Sequence, residues 1–189
     1  MAPNEAHASE HTTNKERRRL RIDTIALPAI VILGILIDAS QMIKNGIVST
    51  RLSPAVEGGI QFAEIAGGAQ WLYVIGFSLK YLALIVTSLA VSLALSNVAR
   101  GRIFNQKNER LFYAGASGIF AYYISRLTFE GLANNWVASD LGLEQWWDTG
   151  AGTPSSELAP AFILGYALLV AALVIKRGIK LQEDVDGLV

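Results

Sequence analysis

The sequence predicts an all-α fold, a four-helix transmembrane bundle with both termini in the cytoplasm and a disordered N-terminal tail. Three observations predict it. Hydrophobic residues make up 52% of the 189-residue chain and mean hydropathy is +0.37, while charged residues are only 17%, against roughly 25% in an ordinary soluble domain. Four apolar runs are long enough to cross a hydrocarbon layer of about 30 Å as helices. The 16 Lys and Arg residues are unevenly placed: five lie in residues 15–21, four in 100–110 and three in 176–180. Cytoplasmic segments collect Lys and Arg, so these three segments share one side and the chain crosses four times.

Residues 1–21 read as a disordered basic tail. The first part is polar and lacks periodic apolar positions; Lys15, Arg17, Arg18, Arg19 and Arg21 then abut the first apolar run. That run, 22–43, begins the four-span domain, 22–181. No small-x-small pattern follows Ile37, so it is expected to be a retained anchor rather than a cleaved signal. Pro28 is placed near the helix start, where a missing N–H costs least. Gly34 and Asp38 share a face of this helix.

A loop over 44–68 follows, with Pro54 and two glycine pairs. Ile60, Phe62, Ala63 and Ile65 lie between the pairs and suggest a short helix on the outer surface. The second span is 71–98. Ser88, Ser92 and Ser96 recur at four-residue spacing, with Gly76, Lys80 and Leu84 on the same ridge; small residues so spaced let helix backbones approach, or would line a hydroxyl conduit. The basic link 100–110 comes next, with Asn105 or Asn108 as a helix cap.

The third span, 111–133, is apolar yet carries two charges. Ala114, Gly118, Tyr122, Arg126 and Glu130 recur every fourth residue, so one ridge is small at one end and charged at the other. An arginine does not face hydrocarbon cheaply, so this ridge is expected to face other helices. Residues 136–157 are acidic and turn-rich, with Trp136, Trp146 and Trp147 as interfacial anchors or a docking surface. The fourth span, 158–175, offers Gly165 for close packing and ends at Lys176, Arg177 and Lys180. A cytoplasmic tail, 182–189, closes the chain.

Four ionisable residues fall within spans: Asp38, Lys80, Arg126 and Glu130. Counted from the inner end at about 1.5 Å per residue, Asp38 and Arg126 both sit roughly 20 Å up. Two acids and two bases sum to zero, and an unpaired charge at mid-bilayer costs about 2.5–3.5 kcal/mol. A mutual cluster is therefore expected, with Asp38 to Arg126 as the leading contact and Glu130 also within reach of Arg126 on the same helix. Such a cluster either fixes helix register or forms a site for a proton, an ion or a small ligand.

The chain has no cysteine and only two histidines, His7 and His11, both in the tail. Thiol chemistry, disulfides and zinc-thiolate sites are excluded, as is a bis-histidine haem among the spans. No nucleotide-binding glycine pattern occurs. No catalytic residues, metal or cofactor are expected, nor direct binding of nucleic acid.

The run Arg100-Gly101-Arg102-Ile103-Phe104, followed by Asn108 and Leu111, resembles the start of the third helix in the DUF2975 family. The ending from Arg177 to Val189, basic and then with Glu183 and Asp184 before a final Leu-Val, resembles that family's tail. The resemblance implies a bacterial integral membrane protein of unknown activity, whose relatives often accompany a small helix-turn-helix regulator. It would make Arg100, Arg102, Phe104, Asn108, Lys176, Arg177, Glu183 and Asp184 the candidate partner contacts. Two other classes stay open. One is an accessory subunit of a larger membrane complex, for example a respiratory one. The other is an oligomeric small-solute or ion transporter built on the charge cluster.

Overall fold

The computed structural model describes residues 3–147 and 155–187. Five α-helices carry the fold: α1 (Pro3–Asn45), α2 (Gly67–Ala99), α3 (Gln106–Ile124), α4 (Gly131–Asp140) and α5 (Ser155–Asp186). A π-helical segment, Ser125–Glu130, joins α3 to α4 without a break. Among the described residues three stretches are long and apolar enough to cross a membrane, Thr24–Asn45, Gly67–Ala99 and Ala159–Asp186. The described chain is thus mostly helical, with three helices that could cross a membrane.

Helix α1 begins at Pro3, so the segment 1–21 expected to be disordered is instead mostly helical. Once the apolar stretch has nucleated a helix, extension through Ala, Glu, Lys and Arg costs little per residue. Pro28 consequently lies inside the helix, where it removes one backbone hydrogen bond. Similarly, α5 continues past its apolar run through Lys176 and Lys180 to Asp186, so most of the expected tail is helix.

The principal contacts run α1 to α2, α2 to α3 and α3 to α5. The central pair is α2 with α3, and α1 and α5 flank it on either side. The π segment and α4 also lie along α2. Small residues make the central approach. A Cβ on Gly118 would collide with Thr87 Oγ1 and stand 3.0 Å from the Ala83 carbonyl oxygen. One on Gly165 would meet the Phe120 ring at 3.2 Å.

The surface helix expected in the outer loop, 44–68, is reduced to one 3-10 turn, Phe62–Glu64, with Ala63 and Glu64 exposed. Gly46, at φ +66°, ends α1, with its N–H donating to the Met42 carbonyl at 3.0 Å. Two short strands follow, β1 (Ile47–Val48) and β2 (Ile60–Gln61), paired antiparallel with Val48 opposite Ile60. Gly58 and Gly59, at φ +83° and +80°, reverse the chain into β2 with backbone that other residues adopt poorly. Val48, Leu52, Ile60 and Ile65 then pack with Ala69, Tyr73 and Phe77 of α2 and with Ala133, Val137 and Ala138 of α4. Ile60 and Ile65 were expected on a surface. They are buried because this reversal folds them back over the ends of α2 and α4. We call this end of the molecule the cap and the opposite end, with the 100–105 link and the end of α5, the base.

Candidate functional site

Glu130 ends the π segment and faces α2, with 4% of its side chain exposed. Lys80 Nζ donates to Glu130 Oε2 at 2.7 Å, and Arg126 Nε lies 3.7 Å from Glu130 Oε1 one turn earlier on the same element. One carboxylate thus serves two bases. The Lys80 ammonium also lies 4.5 Å from the Phe77 ring centroid and 5.7 Å from that of Tyr81, and a ring face is attractive to a cation. The Glu130 backbone is brought in by Gly76, where a Cβ would stand 3.2 Å from the Glu130 nitrogen. Ser125 Oγ, at the other end of the π segment, donates to the Gly76 carbonyl at 2.7 Å. Gly76 is therefore the residue against which the charged segment is seated.

The cluster gathers Lys80, Arg126 and Glu130. Asp38, expected to lead the contact with Arg126, is exposed on α1 and lies within electrostatic range of Tyr81, as do Glu130 and Tyr122. The ion pairs at the centre are made by Glu130, because α3 and the π segment lie directly on α2 whereas α1 lies on the flank. Chemically the arrangement is a clamp. A buried pair of this kind is costly to disrupt by removing one member.

Other polar ties lie along the same seam. Toward the cap, the Tyr73 hydroxyl donates to Asn134 Oδ1 at 2.7 Å, both side chains fully buried. Toward the base, Asn97 Nδ2 donates to Asn108 Oδ1 at 2.7 Å. Neither tie was read from the sequence, although an asparagine in an apolar helix such as Asn134 is a signal that a partner is needed. Asn105 caps α3, accepting from the Asn108 N–H at 2.9 Å.

The packing candidates divide. Gly118 and Gly165 sit at close helix contacts, and Ala114 lines an apolar groove beside Gly118. Ser88 and Ser92 are buried; Ser88 Oγ bonds the Ile85 carbonyl on its own helix at 3.0 Å. Gly34 is exposed, and a Cβ there would meet nothing within 4 Å beyond its own helix backbone, since only part of α1 touches a neighbour.

At the base, Arg100, Arg102, Lys176, Arg177, Glu183 and Asp184 are exposed. Phe104 lies over Gly178, so closely that a Cβ there would enter the ring. The link and the end of α5 therefore meet. Asn108 is not available to a partner: it is fully buried, and its Nδ2 donates to the Arg102 and Ile103 carbonyls at 2.7 and 2.9 Å. It shapes the link instead. At the cap, Trp136 lies against Gly68 and Trp146 packs on the cap cluster. Asp148, Gly150, Gly152 and Pro154 of the acidic loop lie outside the described residues, as do Leu188 and Val189. Among the described residues no group of three or more His, Cys, Asp or Glu is placed to hold a metal. Comparison with protein-family models, curated proteins and solved structures finds no match.

Proposed function

We propose that this chain is a four-span protein of the bacterial plasma membrane, with both termini in the cytoplasm, that acts without catalysis as the membrane partner of a small helix-turn-helix regulator. The third crossing is then the continuous rod from α3 through the π segment to α4. At 1.5 Å per residue its length is roughly 50 Å, ample for a bilayer. The orientation rests on the Lys and Arg residues of 15–21, 100–110 and 176–180, which a cytoplasmic base would collect.

The observation that carries the regulatory proposal is the contact between Phe104 and Gly178. The two stretches that resemble DUF2975, one beginning the third span and one ending the chain, form a single exposed surface at one end. A cytoplasmic partner would meet Arg100, Arg102, Glu183 and Asp184 together. The test is affinity purification of the intact chain from its own membranes under mild detergent. A helix-turn-helix protein that co-purifies with the full chain, and is lost when residues 182–189 are removed, supports the proposal. Its absence, or retention with the truncated chain, defeats it.

A second role, accessory subunit of a larger membrane complex, is favoured by one feature. Helix α1 exposes Ile25, Ile30, Leu33 and Ile37 and is flanked mainly by α2. Native gels of solubilised membranes separate the two: an accessory subunit migrates with a large assembly, and a regulator's partner does not.

A further inference from the structure

We infer that the cleft between the start of α3 and the end of α5 holds the phosphate of an anionic phospholipid. Arg110 of α3 and Lys176, Arg177 and Lys180 of α5 line one cleft of ≈ 790 Å³ with Glu109 and Glu183. Four bases and two acids leave two net positive charges in a single recess. Among the described residues none of these four bases makes an ion pair or a side-chain hydrogen bond. The intramembrane bases, by contrast, have Glu130.

Two further features select a phosphate joined to an apolar tail. Gln106, the first residue of α3, also lines the cleft, so the positive end of the helix dipole adjoins the bases. Leu173 and Ile179 complete the walls, and the apolar run of α5 gives way to charge between Ile175 and Lys176. The recess therefore straddles the boundary between acyl chain and headgroup, and basic pockets between membrane helices at that depth suit anionic headgroups. A free phosphate has no use for the apolar wall.

The inference does not depend on a protein partner, and the test contains none. The full chain, purified in non-ionic detergent, is mixed with dioleoyl phosphatidylglycerol, with dioleoyl phosphatidylcholine or with glycerol 3-phosphate, and retained adducts are counted by native mass spectrometry. Selective retention of phosphatidylglycerol is expected, weakened about fivefold for each base neutralised in Arg110→Gln, Lys176→Gln and Lys180→Gln. Lys176→Arg with Lys180→Arg should keep the lipid, and Arg102→Gln with Lys107→Gln, outside the cleft, should bind normally. Equal retention of the zwitterionic lipid, unchanged binding in the cleft variants, or displacement of the lipid by glycerol 3-phosphate at equal concentration would each overturn it.

Discussion

In the cap, Val48, Leu52, Tyr73 and Ala133 are fully buried against one another, while midway along α2 and α3 the contact is made by Gly118, Ala83 and Thr87. The cap is packed with large side chains that would otherwise meet water, so burial itself supplies the driving force. Between helices in a bilayer, as proposed for the central seam, no such force acts, because lipid tails are as apolar as leucine. There the helices are held by close backbone approach and by polar ties: Lys80 to Glu130, Ser125 to the Gly76 carbonyl, and Thr87 to the Gly115 carbonyl at 3.2 Å. The difference teaches where each kind of substitution should hurt. Cap variants should behave like those of a soluble core, and seam variants should respond to volume and charge.

The largest effect is expected for Glu130→Ala, which takes the shared carboxylate from Lys80 and Arg126 and should cost about 3–5 kcal/mol. Thermal unfolding in detergent reads it directly. Glu130→Ala combined with Lys80→Met, which removes the better-placed base as well, should recover part of the loss. Next comes Leu52→Ala in the cap, at about 2–5 kcal/mol. Here the sharper measurement is proteolysis of the 44–66 segment, which should open well before α2 and α3 separate. Cleavage and global unfolding at the same temperature would show that cap and seam are one unit.

Gly118→Ala should cost about 1–3 kcal/mol. Helix propensity alone would favour alanine by about 1 kcal/mol, so a loss of stability shows that the contact with Thr87 and the Ala83 carbonyl decides the sign. Gly34→Ala is the smallest. An added Cβ would meet nothing within 4 Å beyond its own helix backbone, so thermal stability should be unchanged or raised by at most about 1 kcal/mol.

The seam was more legible in the sequence than the cap. Lys80, Arg126 and Glu130 announce themselves because charge in an apolar run demands compensation, and Gly118 and Gly165 stand out as small residues at helical spacing. The choice of partner was not legible. Whether Asp38 or Glu130 serves Arg126 depends on which helix lies against which, and depth counted along each span says nothing about lateral order. The cap was missed for a different reason. Val48, Leu52, Ile60 and Ile65 are separated by turns, so they show neither a helical nor a strand period, and only the folded chain brings them together. Asn108 illustrates the same limit on a smaller scale: a polar residue beside a basic link reads as surface, yet it is sealed in by the carbonyls of that link.

The wide winding at Ser125–Glu130 has a consequence for everything beyond it. A π segment of this kind amounts to one residue inserted in an α-helix, so residues past it are rotated by about 100° from the positions a uniform helical wheel assigns. On such a wheel Asn134 falls about 160° from Gly118, nearly opposite, whereas with the inserted residue discounted the separation is about 60°. That offset is what turns Asn134 onto Tyr73 while Gly118 still faces Thr87, so a variant shortened by one residue in this stretch should wind as a uniform α-helix and keep the asparagine on Tyr73, whereas uniform winding at full length would turn it away.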